Sequence, residues 1–228
     1  MPLDKHAFIY SGEQMKSGTE SYFQNVRNYF PRYKFTDKPD IRKLYIKIPS
    51  FPGILAEKYG DKYIKAMHKL LRKAYKKEIK EIILDLIMND GGQDNIMISS
   101  LAPLLPQDTK LYYKIDGNQK IYDYRYLDNN KLLSKTGDYM EIKSPYIVFS
   151  PKIKIIIGEK TASAGEILVL CFYHLKNVTF KGNSTFGILT DMYWNTLPSG
   201  LHYSFTRGKF LDKLKHPIKD DRIVVDYV

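Results

Sequence analysis

The chain has 228 residues, of which 43% are hydrophobic and 27% charged, an ordinary globular balance that excludes a disordered polymer. Its formal net charge is +11, but the lysines are spread along the whole chain, so nucleic-acid binding through a basic stripe is not indicated. The single cysteine, Cys171, excludes an internal disulfide framework, and no apolar run approaches the roughly 18–20 residues that span a bilayer.

In the opening segment Tyr22, Phe23, Val26, Tyr29 and Phe30 carry the spacing of a short amphipathic helix, stopped by Pro31. No apolar leader follows Met1 to Lys5, and nothing in the sequence assigns a compartment. Lys43 to Ile48 predicts a strand, ended by Pro49 and the turn at Phe51-Pro52-Gly53. Tyr63, Ala66, Met67, Leu70, Leu71 and Ala74 then form the apolar stripe of a helix, with His68 expected among the solvent-facing lysines beside it. Glu81 to Ile87 is a nearly continuous apolar run, expected to be a strand buried on both faces. Strand, helix and strand make one βαβ unit, hence a parallel pair with a right-handed crossover.

A second helix is predicted from Asn95 to Leu105. The stretch from Gln107 to Ser144, rich in Tyr, Lys, Asp and Asn, predicts a hairpin or irregular excursion around Asp116-Gly117 and Asp128-Asn129-Asn130. A strand at Ile153 to Ile157, an apolar helix at Ala162 to His174 and a strand at Val178 to Lys181 follow. Short strands with turns at Pro198-Ser199-Gly200 and Arg207-Gly208 close the chain. Cys171 lies inside the apolar helix, where burial is its expected role.

Two motifs carry chemistry. Thr161-Ala162-Ser163-Ala164-Gly165-Glu166 stands between a buried strand and a buried helix, where helix-terminal N–H groups stabilise developing negative charge beside a serine. The same residues also fit an ordinary N-cap serine, with Glu166 completing a capping box. Asn89-Asp90-Gly91-Gly92-Gln93 follows the other buried strand at its carboxyl end, where open α/β sheets bind ligands, and adjacent glycines there can present backbone N–H groups. Together they describe half of an acyl-transfer site.

These residues resemble the C-terminal processing proteases and tricorn-type serine peptidases. Ile83 to Gly92 looks like that family's strand-and-glycine motif, and Thr161 to Glu166 looks like its nucleophile motif, over a similarity running from about Leu44 to Val225. The resemblance implies an α/β fold with a crotonase/ClpP-like ββα core and a small N-terminal helical appendage. Residues 1–40 would be the segment bearing the base, and residues 41–228 the peptidase core. It further implies Ser163 as nucleophile, an oxyanion hole from Gly91, Gly92 and Ala164, a peptide or protein substrate, and no metal or organic cofactor.

Processing proteases pair their serine with a lysine directly after a Thr-x-Gly, but here Thr185-Phe186-Gly187 is followed by Ile188. Tricorn-type members use a histidine ahead of the core, and Asp4-Lys5-His6-Ala7-Phe8-Ile9 looks like their segment, with Ala7 in place of the usual serine. This makes His6 the expected base. His202 is the next choice and His216 a weaker one. His174 is on the serine's own helix at about 16 Å, too far for direct proton transfer. Asp212 is the expected orienting acid of a triad, with Asp191 as runner-up. Only about 35 residues separate His6 from the first core strand, too few for the peptide-binding PDZ domain of some relatives. The alternative function is non-catalytic binding of a ligand or peptide on the same fold.

Overall fold

The computed structural model describes residues 7–11, 19–38, 41–137 and 139–225. Strand β1 (Phe8–Ser11) comes first, then a short helix α1 (Thr19–Gln24) and a separate 3-10 turn over Val26–Tyr29. The single helix expected from Tyr22 to Phe30 is split at Asn25, whose backbone (φ −106°, ψ 22°) leaves the α region. β2 (Arg32–Lys38) and β3 (Ile41–Lys47) form an antiparallel hairpin.

Helix α2 (Ala56–Lys76) buries Tyr63, Met67, Leu70, Leu71 and Ala74 of the predicted stripe, whereas Ala66 is exposed and Ile64 is buried instead. It also buries His68, contrary to the solvent-facing expectation. The imidazole is clasped between the carbonyls of Ser144 (3.1 Å) and Ser99 (2.9 Å), and burial lowers its pKa. β4 (Glu81–Asp85) and α3 (Asp94–Ser100) follow. The helix predicted to reach Leu105 stops at Ser100 and passes into a 3-10 turn over Ala102–Leu104, since Pro103 has no N–H to continue the ladder.

The Tyr- and Lys-rich excursion is a meander of β5 (Lys110–Ile115), β6 (Ile121–Asp128), β7 (Lys131–Ser134) and β8 (Tyr139–Glu141), turning at the predicted positions. β9 (Lys152–Ile157), helix α4 (Ala164–Phe172), β10 (Val178–Gly182), β11 (Thr190–Thr196) and β12 (Leu201–Leu211) complete the chain. Arg207-Gly208, expected as a turn, lies inside β12. The register against β11 shifts there, Asp191 facing Gly208 and Met192 facing Thr206, so the break in pattern marks a bulge.

The strands form two sheets. The first runs β10-β9-β4-β3-β2, parallel except for the β2 hairpin. Its β4 is buried on one face rather than both: Ile82 and Leu84 are inside, whereas Glu81, Ile83 and Asp85 are half exposed. Lys43 and Lys154 from the flanking strands reach Glu81 at 2.5 and 3.4 Å, so this outer face is polar. The second sheet runs β1-β12-β5-β6-β7-β8, with β11 on the other edge of β12. The N-terminal segment is therefore woven into both sheets, through β1 in one and β2 in the other, rather than appended as a helix.

The second sheet encloses an ionic cluster. Asp191 Oδ1 accepts from Lys114 Nζ at 2.7 Å, while Oδ2 accepts from Arg207 Nη2 at 2.6 Å and Nε at 3.0 Å and from the Tyr122 hydroxyl. Burial alone would raise this carboxyl, but the cations and the phenol together hold its pKa below the ordinary carboxylate value. Such a group stabilises the fold fully above its unfolded pKa of about 3.9, and the contribution is lost as pH falls through the lower folded value. Asp191→Asn, which leaves buried Lys114 with only the more distant Asp123 carboxylate at 3.9 Å, is expected to cost about 2–3 kcal/mol in urea unfolding at neutral pH. The gap from the wild type should narrow below about pH 4; a gap independent of pH would contradict the assignment.

Candidate active site

The stretch between β9 and α4 is fixed before the helix begins. Thr161 Oγ1 accepts the Gly158 N–H (3.0 Å) and donates to the Leu86 carbonyl at 2.8 Å, and the Ala162 N–H donates to the Asn89 carbonyl at 2.9 Å. Ser163 then caps α4 with φ 51° and ψ −120°, a conformation costly for any residue bearing a Cβ. Its N–H donates to Glu166 Oε2 at 2.9 Å. Glu166 is wholly buried and also accepts the N–H of Ile188 (3.0 Å), the N–H of Gly187 (3.0 Å) and the Thr185 hydroxyl. Burial raises its pKa, against the opposing pull of these four donors.

The glycine arm approaches from β4. Asn89, also wholly buried, donates its amide to the carbonyls of Ile48 (3.3 Å) and Pro49 (3.2 Å), and its Oδ1 accepts the Gly91 N–H at 3.1 Å. Gly91 and Gly92 have φ of 117° and 112°, which only glycine adopts freely. A methyl group on Gly91 would stand 3.0 Å from Ser163 Cβ and 3.3 Å from the Ala164 nitrogen; on Gly92 it would strike the Phe51 carbonyl at 2.1 Å. Gly165 meets Asn89 as closely, at 2.6 Å from its carbonyl oxygen. The two motifs thus close on one another without space for side chains between them. The Ala164 N–H opens the helix, where no intrahelical carbonyl can receive it.

Ser163, Ala164 and Gly91 are brought together, with Gly92 one residue beyond and packed on Phe51. The N–H of Gly91 is engaged by Asn89, and that of Gly92 follows it in the same turn. His6 lies outside the described residues. Asp212 is not joined to this group: its Oδ2 meets His174 Nε2 at 2.7 Å and His216 Nδ1 at 3.4 Å, beyond the far end of the helix that Ser163 opens. Helical rise puts that end some 15 Å from the serine. Asp191 is held in the ionic cluster, and His202 pairs with Thr196 Oγ1 at 2.8 Å. A groove of about 1260 Å³ lined by Arg42, Tyr75, Lys80 and Phe149 lies at the amino ends of β3 and β4, away from Ser163.

Sequence reasoning gave Glu166 only a capping role and passed over Asn89. The capping-box spacing was the available signal for the first. The second carried none, because its partners at Ile48 and Pro49 are some 40 residues upstream.

The sequence profile of peptidase family S41 matches residues 42–228. The chain belongs to peptidase family S41. It is 30% identical over 146 residues to the nisin-resistance protein of Lactococcus lactis subsp. lactis, a match covering 63% of this chain and 43% of that protein. The chain thus spans less than half the length of that relative. A lipoprotein from Streptococcus agalactiae has a similar structure, with a TM-score of 0.76 and 26% identity over 97% of this chain and 71% of that one. The photosystem II D1 C-terminal processing protease shares the fold, with a TM-score of 0.59 at 17% identity over 86% of this chain and 47% of the other.

In this S41 chain Glu166→Ala would leave four donors, two of them buried, without this acceptor. Urea unfolding should show a loss of about 3–5 kcal/mol, with Glu166→Gln also destabilised because its amide turns a donor toward donors. Wild-type stability in both variants would show that the four bonds do not hold the serine turn.

Proposed function

We propose that this chain hydrolyses peptide bonds through an acyl-enzyme on Ser163, with His6 as general base. The oxyanion would be held by the N–H groups of Ala164 and Gly92, that of Gly91 being engaged by Asn89. The observation that carries the reading is the strained serine at a helix N-terminus with a bare glycine Cα against its Cβ. Strain of this kind persists where the surroundings over-determine it. The five-stranded sheet with α2 and α4 is taken as the crotonase/ClpP-like ββα core. Residues 41–228 are its peptidase part, and residues 1–40 the segment bearing the base.

In the proposed reaction Ser163 Oγ attacks the scissile carbonyl as His6 takes its proton, and the imidazolium then protonates the leaving amine. Water repeats the sequence on the acyl-enzyme. The pairing of β1 supports His6: Phe8 pairs with Ser204 on β12, whose other edge is β11. That strand begins two residues after Ile188, whose N–H is on Glu166. Asp212 is not carried into the triad, since its carboxylate is already shared by two other imidazoles. Exposed Met88 and Phe186, each next to a segment bonded to the serine turn, offer apolar surface for substrate side chains.

The substrate class is peptide or protein, and the name of the Lactococcus relative makes nisin the first peptide to offer beside casein. Ser163→Ala should abolish labelling by a fluorophosphonate probe while circular dichroism stays unchanged. His6→Ala should lower peptide turnover by about 10⁶-fold. Equal labelling of wild type and Ser163→Ala would remove the serine from the mechanism. Undiminished turnover in His6→Ala would remove the histidine alone.

A further inference from the structure

Away from the serine, the loop after β12 and the end of α4 bring together three groups that the proposed hydrolysis does not use. His174 Nε2 and His216 Nδ1 both face Asp212 Oδ2, at 2.7 and 3.4 Å. One ligand atom from each of the three residues lies within 4.8 Å of the others. We propose that His174, Asp212 and His216 form a zinc(II) site with a fourth position open to solvent.

The carboxylate is prepared for this. Asp212 is buried, and its Oδ1 is filled by the N–H groups of Leu214 and His216, both at 2.8 Å, which leaves Oδ2 for the imidazoles. Outer bonds of that kind orient a ligand before the metal arrives. The loop is itself closed. The Asp212 N–H donates to the His216 carbonyl and the Lys215 N–H to the Asp212 carbonyl, both at 3.0 Å, while Leu211 bridges Pro217. His174 is held at φ 63° and Lys215 at φ 67°, left-handed conformations uncommon for residues other than glycine. Two imidazoles converge on the one Oδ2 oxygen.

Zinc fits the donor set. Two imidazole nitrogens and a carboxylate oxygen at about 2.0–2.1 Å put tetrahedral ligand atoms about 3.4 Å apart, so the 2.7 Å contact must open slightly while the 3.4 Å contact already matches. The site has a single carboxylate; of the adjacent lysines, Lys213 interacts with the Asp212 charge, while Lys215 is drawn over the Tyr113 ring at 5.4 Å. His174 and His216 are accessible, with side-chain exposures of 34% and 67%, so the ion has a path in and a free face. Bound there, it would clamp the end of α4 to the end of β12, joining the helix of the first sheet to a strand of the second. This is separate from the chemistry at Ser163.

The test uses the full chain without a polyhistidine tag, stripped with chelator and titrated with zinc(II) by calorimetry. Cobalt(II) serves as the optical probe of coordination number. One equivalent should bind, cobalt should show the intense visible bands of a four-coordinate site, and zinc should raise the melting temperature. His216→Gln, at an exposed side chain, and His174→Gln should each weaken binding at least tenfold with the fold intact by circular dichroism. His202→Gln and Ser163→Ala should bind as the wild type does. Absence of a stoichiometric site, or affinity unchanged in the His174→Gln/His216→Gln double variant, would overturn the assignment.

Discussion

A carboxylate withdrawn from water is costly unless donors replace its hydration, and Glu166 is supplied by four: the N–H groups of Ser163, Gly187 and Ile188 and the Thr185 hydroxyl. They come from the start of α4 and from the loop between β10 and β11, so one side chain fixes the turn that bears the serine against the segment leading to the second sheet. Ser163 can hold φ 51° because its N–H is pinned on one side and Ala162 is pinned to Asn89 on the other. The strain is sustained by contacts that would all be lost if the turn relaxed. Ile188, standing where processing proteases carry a lysine, contributes through its backbone, so the loop keeps a structural role without the cationic side chain.

Asn89 is the matching anchor on the glycine arm. It satisfies carbonyls at the end of the β3 region, receives the Gly91 N–H, and gives its own carbonyl to Ala162. Four backbone segments therefore meet at two buried polar side chains, Asn89 and Glu166. The small residues follow from this. At Gly91, Gly92 and Gly165 another backbone or the serine itself occupies the space a methyl would need.

The local patterns of the core were legible because they depend on neighbours in sequence. The apolar stripe of α2, the strand before Asn89-Asp90-Gly91-Gly92 and the strand–serine–helix order all hold. What escaped depends on distant partners. His68 sits on the edge of its stripe, and only the carbonyls of Ser99 and Ser144 bring it inside. β4 is as apolar as a doubly covered strand, yet Lys43 and Lys154 approach its outer face across strands whose pairing no periodicity encodes. The Arg207-Gly208 pair has the composition of a turn. Its bulge is set by Asp191, which needs Arg207 on the same side as Lys114. Asp212 carried no signal of its two imidazole partners, because His174 belongs to a different element and His216 returns only through the closed loop.

β12 unites these observations. Its first residues pair with β1 on one edge and β11 on the other, and its last three pair with β5 on the edge that β1 has vacated. Eleven residues thus connect strand β1, the bulge that presents Arg207 to Asp191, and the carboxylate shared by His174 and His216. A change in the seating of β12 would be felt at each of them. In a sheet with register fixed by a buried ion cluster, sliding by one residue would turn every side chain to the opposite face. At the strand's end Asp212 ties it to His174, just beyond the end of α4.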